Sequence, residues 1–331
     1  MTNEPAQTEN TDQRTAERAE GELLLAAAER IVPPSGNRRD TAKRFLAGAS
    51  ASGLDLSHAF AVIDRGSSGR QAWARQACLA IPGPGRTAML FVSPPSAADE
   101  TEADRVERDA CIRASIASLP PERVAVAQAL PDPSDHWTTQ AFERAGMLQV
   151  GDLAYLSRSM HARASRPGDL PEGIEIRQAG HLAEPCAERT LMLETLEATY
   201  TDTLDCPELC GMRRVEDILE SHLAAGLYKA QHWLIATEQG RGIGCSLVSE
   251  TDDGSTAELV YLGLAPGARG RGLGRRLLES SIWGLRLSKA KRLVCAVDRR
   301  NSPALRLYDS FGFDEFASRR AWVKPIGSGG G

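Results

Sequence analysis

The stretch from Tyr261 to Leu278, Tyr-Leu-Gly-Leu-Ala-Pro-Gly-Ala-Arg-Gly-Arg-Gly-Leu-Gly-Arg-Arg-Leu-Leu, leaves a chain few ways to fold. A strand over Ala257–Ala265 runs into a turn of small residues, and a strongly amphipathic helix from Leu273 to about Leu287 begins as the glycines end. Backbone N–H groups at a helix N-terminus have no intrahelical partner and, with the positive end of the helix dipole, form an anion site. Glycines remove the Cβ atoms that would hold a phosphate away from that backbone. Arg269, Arg271, Arg275 and Arg276 add positive charge, so a pyrophosphate would suit the turn. Dinucleotide-binding and P-loop proteins also use glycine-rich strand-to-helix turns. Here no Gly-Lys-Ser/Thr follows, and no early βαβ unit with a later acidic residue is present.

The rest of the second half fits around that turn. It opens with a strand at Ile174–Arg177, then helices over His181–Tyr200 and Val215–Ala225, and strands at His232–Thr237 and Gly242–Glu250. After the turn come a strand at Arg292–Val297, a helix at Pro303–Ser310 and a closing strand at Ala317–Lys324. In the first half the pattern predicts a helix over Thr15–Ile31, strands at Ala59–Ile63, Gln76–Ile81 and Thr87–Val92, a helix over Thr101–Leu119, a strand at Val124–Ala129 and a helix at Trp137–Ala145. Residues 161–173, rich in proline and glycine, read as a linker; residues 1–13 read as a disordered tail and 327–331 as a flexible one.

The two halves share landmarks. Leu90–Pro94 (LFVSP) parallels Leu262–Pro266 (LGLAP), and Ala141–Met147 (AFERAGM) parallels Leu307–Phe313 (LYDSFGF). Pro94 and Gly146 are 52 residues apart, Pro266 and Gly312 46, which suggests two copies of one fold. After Pro94 the first copy has Pro-Ser-Ala-Ala-Asp-Glu-Thr in place of a glycine turn, and Phe142 stands where the second copy has Tyr308.

The Arg-x-x-Gly-x-Gly run at Arg269–Gly274, after a strand ending in Leu-Ala-Pro, resembles the acyl-CoA pyrophosphate loop of the GNAT N-acetyltransferase superfamily. Asn301-Ser-Pro-Ala-Leu-Arg-Leu-Tyr308-Asp-Ser-Phe-Gly312-Phe313 is similar to the family's Asn-x-x-Ala-x-x-Leu-Tyr-x-x-x-Gly-Phe element, and both stand in the family's order. A two-copy chain resembles the tandem arrangement of mycothiol-synthase-like proteins. The fold this implies is mixed α/β: a mostly antiparallel central sheet flanked by helices, with a degenerate GNAT-like domain over 14–160 and a catalytic one over 174–326. The implied activity is transfer of an acetyl group from acetyl-CoA to a primary amine, by direct attack in a ternary complex. A non-catalytic acyl-CoA sensor, a protein amine as acceptor, and a longer acyl group stay open beside it.

The resemblance also assigns residues. Backbone amides of Arg269, Gly270, Arg271, Gly272, Leu273 and Gly274 would hold the pyrophosphate, and Leu262 and Leu264 would offer backbone groups to the pantetheine arm and acetyl carbonyl. Asn301 is either a contact to the cofactor arm or a helix N-cap. Tyr308 would protonate the leaving thiolate, or else is a half-buried packing residue. Glu258 is the provisional base, against the reading of a surface carboxylate, with Tyr261 and Glu250 behind it. Asp205 and Glu208 fall where the fold builds its acceptor site, near Arg213, Asp217 and His222, against the reading of a solvated loop.

Composition narrows the partners. With 39 basic and 44 acidic residues the net charge of −5 gives no surface for nucleic acid and mildly suits a cationic amine. No run approaches the ~18 apolar residues of a membrane span, and no signal peptide opens the chain, so a cytoplasmic enzyme is expected. Cys206 and Cys210 have no second Cys/His pair at ligand spacing, so no metal is expected.

Overall fold

The computed structural model describes residues 15–33, 36–66, 72–95, 100–160, 165–182 and 186–327. The expected tail 1–13, the first four linker residues 161–164 and residues 328–331 lie outside them. In chain order the elements are β1 (Glu17–Arg18), α1 (Glu22–Ile31), α2 (Arg38–Ala51), β2 (Ala59–Asp64), β3 (Trp73–Gly83), β4 (Thr87–Val92), α3 (Glu102–Ala117), β5 (Val126–Ala129), α4 (His136–Arg144), β6 (Leu148–Ser159), β7 (Ile174–Gln178), α5 (Ala187–Tyr200), α6 (Val215–Leu223), β8 (Trp233–Glu238), β9 (Arg241–Glu250), β10 (Thr256–Leu264), α7 (Leu273–Gly284), β11 (Arg292–Asp298), α8 (Ser302–Asp309) and β12 (Asp314–Pro325). The chain divides into two compact units, one of residues 1–81, 90–119 and 140–146, the other of 82–89, 120–139 and 147–331.

In the first unit β1 pairs antiparallel with β2, and β2 with β3. The helix expected over Thr15–Ile31 starts only at Glu22, because Gly21 at φ 55° turns the chain and Glu17–Arg18 are taken by β2. Ala27 and Ala28 pack α1 on the sheet and on α2, whose Phe45 and Leu46 complete a small core.

In the second unit the strand order is β5-β12-β6-β11-β10-β9-β8-β7. Pairing is antiparallel except where β10 meets β11, so the expected mostly antiparallel sheet is what forms. β6 lies between β11, from Arg292–Ser159 to Asp298–Leu153, and β12, from Asp314–Ser157 to Val323–Leu148. Pairing on both edges therefore puts Leu148–Ser159 in this unit, although it precedes the linker at which the sequence reading divides the chain.

Alternation along the strands gives the sheet two apolar faces. One carries Ala257, Leu259, Leu293, Cys295 and Val297 under α7 and α8; the other carries Trp233, Ile235 and Leu247 under α5 and α6. Leu278 and Ile282 of α7 are buried, each worth roughly 1.5–3 kcal/mol against exposure, which fixes the helix and hence its N-terminus on the sheet.

Candidate active site

The parallel pair β10–β11 holds for only three residues, Thr256–Arg292, Ala257–Leu293 and Glu258–Val294. β10 then runs on to Leu264 and β11 to Asp298 without pairing to each other. Within β10 a bulge between Leu259 and Tyr261 shifts the register against β9, and bulges bend the strand that carries them. The inner edge of β10 beyond Glu258 thus presents backbone N–H and C=O groups that no strand among the described residues uses.

Above this split lies a cavity of about 680 Å³, lined by Tyr261, Leu262, Gly263 and Leu264 of β10, by residues 269–275 at the start of α7 other than Arg271, by Asn301, Pro303, Ala304, Arg306 and Leu307 around α8, and by Thr199 with Asp202–Asp205. Gly272 is the N-cap of α7 at φ 77°, ψ 2°, and no side chain caps the helix. Gly270 stands at φ 74°. A Cβ built at either glycine meets nothing within 4 Å, so glycine is needed there for its left-handed backbone rather than for room. At Gly274 a Cβ would make ordinary contacts of 3.6–3.9 Å with Leu307, Leu264 and Leu262, so neither room nor backbone demands glycine there.

The arginines divide in a way the sequence did not show. Arg269 lines the cavity but spends its donors on carbonyls: Leu264 from Nε at 3.0 Å, Asp202 from Nη1 at 2.9 Å, Thr199 and Thr201 from Nη2 at 3.3 and 2.5 Å. Arg271 forms a two-bond pair with Glu238 (2.7 and 3.2 Å) and Arg276 pairs with Glu279 at 2.6 Å. The cations that line the cavity beside Arg269 are Arg275, stacked 4.8 Å over the Phe311 ring and itself 3.4 Å from the Glu279 carboxylate, and Arg306 of α8. Arg306 escaped the sequence reading; its signal is its place on the same helix as Tyr308.

Asn301 serves as N-cap of α8, its side chain accepting from the Ala304 N–H at 3.3 Å, and it also lines the cavity. Tyr308, two turns on, is 5 % exposed in the core beside Phe313, and burial, with Cys295 and Asp205 nearby, raises its phenol well above the usual value. It stays protonated at neutral pH. Glu258 sits at the last pair before the strands part, on the face away from α7. Solvent reaches it, yet crowding around the carboxylate is enough desolvation to raise its pKa. Tyr261 packs between Tyr200 and His222 at ring distances of 5.2 and 5.3 Å, with its hydroxyl 2.9 Å from that of Thr199. Burial pushes that phenol up, which removes it as a base. Glu250 is tied to Lys229 (2.9 Å) and His232 (3.0 Å) and does not line the cavity.

The two acceptor-side acids part company. Asp205 lines the cavity; one oxygen accepts from the Asp298 N–H at 2.7 Å, and burial raises its pKa. Glu208 lies outside the lining and is held by Arg300 at 2.6 and 2.9 Å, which lowers its pKa. Asp217 pairs with Arg214 and Arg86, and Arg213 bonds Ser221 and Gly85, so these two stabilise α6 and its surroundings.

A cavity with uncapped helix N–H groups at one end, an unpaired strand edge along one side and cations at the mouth fits an extended polyanionic ligand. Known proteins agree. The description "Acetyltransferase (GNAT) family" matches residues 196–313. The mycothiol acetyltransferase of Thermomonospora curvata is 30% identical over 180 residues, and that of Beutenbergia cavernae 28% over 194. These matches span 54% and 56% of this chain and 57% and 63% of the relatives' lengths. A GCN5-related N-acetyltransferase from Sphaerobacter thermophilus has the same fold over 95% of this chain and 96% of its own, with a TM-score of 0.58 at 20% identity. A tandem GNAT protein from the clavulanic acid biosynthesis pathway matches over 96% and 99%, with a TM-score of 0.52 at 14% identity. Residues 196–313 thus match the GNAT acetyltransferase family, and the chain as a whole shares its fold with a tandem GNAT protein.

Proposed function

We propose that the protein is an acetyl-CoA-dependent N-acetyltransferase that acts on a primary amine by direct attack in a ternary complex. The observation that carries the reading is the uncapped N-terminus of α7 opening on the cavity where β10 and β11 separate. The orphan N–H groups from Gly270 to Gly274 fit a pyrophosphate. Arg275 and Arg306 supply charge, and the free edge of β10 at Leu262 and Leu264 suits an amide-bearing arm. Asn301 would meet the same arm. Acetyl-CoA supplies an activated thioester carbonyl; the chain's own groups orient it and manage two protons.

An ammonium is not a nucleophile, so one proton must leave. Glu258 takes it at the vertex of the split, a role its raised pKa favours. Tyr308, which burial keeps protonated, gives its proton to the departing thiolate and takes back the second proton that the nitrogen sheds as the amide forms. Asp205, in the cavity wall, receives the cationic acceptor, while Glu208 is committed to Arg300. On this reading residues 174–326 are the catalytic domain and 14–160 a copy without catalysis. The relatives' name, mycothiol acetyltransferase, favours a small-molecule amine over a protein one. No helix among the described residues is long and apolar enough to cross a membrane, and we place the enzyme in the cytoplasm.

Calorimetric titration with acetyl-CoA, followed by a thiol-release screen of small amines, tests the proposal. Saturable binding with amine-dependent CoA release is the expected result. Binding without turnover on any amine would make the chain an acyl-CoA sensor, and no binding at millimolar acetyl-CoA would end the assignment.

A further inference from the structure

The segment Thr199–Cys206 forms the acceptor-side wall of the cavity, and it is fastened at both ends to the two strands that part beneath it. At its start, the Arg269 guanidinium reaches from the loop after β10 to the carbonyls of Thr199, Thr201 and Asp202, while its Nε holds Leu264, the last residue of β10. At its end, the Asp298 N–H, at the end of β11, donates to Asp205 (2.7 Å), and the Cys206 N–H donates back to the Asp298 carboxylate (3.1 Å). Asp298 is in turn gripped by Arg300, whose Nε lies 3.1 Å from each of its oxygens. The segment therefore bridges the split, and its conformation is set from the donor side.

The chemistry of these bonds decides what Arg269 does. Four contacts to carbonyl oxygens occupy donors on all three guanidinium nitrogens, leaving little to offer a phosphate. Three of the carbonyls close the C-terminal end of α5, where helix carbonyls lack partners and a cation is favoured. The residue is also part of the donor loop itself, two positions before Arg271 and three before the N-cap Gly272. A change in that loop's backbone moves Arg269, and with it the wall that presents Asp205.

Resting on the acetyl-CoA reading above, we infer that Arg269 is a positioning residue for the acceptor side: it fastens the Thr199–Cys206 segment to the pyrophosphate loop and so couples donor binding to placement of Asp205. The phosphate is then held by loop backbone and by Arg275 and Arg306. Donor binding should order the acceptor wall before the amine arrives.

Two variants and two readouts test this on the full chain. Arg269→Gln removes charge and fork; Arg269→Lys keeps the charge, which would serve a phosphate, but cannot reproduce a planar fork on several carbonyls. The expected result is that both variants bind acetyl-CoA within about threefold of wild type, while amide hydrogen exchange across 199–206 speeds at least tenfold and is no longer slowed by acetyl-CoA. Affinity lost more than tenfold in Arg269→Gln, restored by Arg269→Lys, with exchange unchanged in both, would make Arg269 a phosphate ligand and overturn the inference. Unchanged exchange in both variants overturns it as well. If the wild type itself fails to bind acetyl-CoA, the activity falls, yet the exchange comparison still decides the clamp, so the two failures are told apart.

Discussion

Two helices in this chain follow a strand that ends at a proline, and their N-termini are treated in opposite ways. At α3, Thr101 accepts from the Asp104 N–H at 3.2 Å while the Asp104 carboxylate accepts from the Thr101 N–H at 3.1 Å, a reciprocal capping box with Glu102 and Asp104 in the first turn. At α7, Gly272 caps nothing, no acid stands in the first turn, and the N–H groups open on a cavity. The first helix has a donor met by the Thr101 hydroxyl and its first turn filled by carboxylates; the second has neither. The strand partnership itself is repeated: β4 pairs parallel with β5 at Thr87–Val126, Ala88–Ala127 and Met89–Gln128, as β10 does with β11 over three residues. Eight residues before the proline, Glu258 in the second copy corresponds to Arg86 in the first, and Tyr308 corresponds to Phe142. Common architecture thus persists without the groups proposed to handle protons, which separates what folds the sheet from what would run the reaction.

The sharpest tests convert the second copy towards the first. Glu258→Gln and Tyr308→Phe should each lower kcat on the order of 10²–10⁴-fold, the usual worth of a positioned acid or base, with acetyl-CoA affinity unchanged by calorimetry. In the wild type, kcat/KM should be lost as pH falls through the pKa of Glu258, which lies above the ordinary 4.5, because only the ionised carboxylate can take a proton. A pH–rate profile that keeps this acid limb in Glu258→Gln would assign the base elsewhere, Asp205 being the next carboxylate to try. Gly272→Asp puts a carboxylate at the N-cap of α7, the position that Thr101 holds in α3. A cost of about 3 kcal/mol, or a hundredfold in Kd, is expected from losing the anion site and adding repulsion. Unchanged affinity would show that the two N-termini do not differ in the way that matters.

Much of this contrast was legible in the sequence, and the reasons for the rest are local. The glycine turn, the strands around it, α7 and α8 all announce themselves, since each has its own periodicity and punctuation. Leu148–Ser159 did not: Gly151, Asp152 and the run Ser157-Arg158-Ser159 blur its alternation, and it is a strand because β11 and β12 pair with it on both edges. α2 was also silent, as its apolar residues are little more than Phe45 and Leu46, and its start is set by Asn37 accepting from the N–H groups of Arg39 and Asp40. At the site, charge pattern placed four arginines around a phosphate, but side-chain direction is settled by packing. Arg269 found carbonyls at the end of α5, Arg271 found Glu238 and Arg276 found Glu279, none of them close in sequence to the turn except the last.

The smallest effect tests the other side of the comparison. Thr101→Ala removes the cap that α3 has and α7 lacks, so it should cost about 1 kcal/mol of stability, read as a lower denaturant midpoint at unchanged slope. It should leave acetyl-CoA affinity as it was, because Glu102 and Asp104 keep negative charge in the first turn where a phosphate would have to sit. Gain of a second acetyl-CoA site in this variant would mean that the cap alone closes the first copy. Loss of stability without a new site would mean that the acids and the missing glycine turn close it as well, so that a single uncapping could not reopen it.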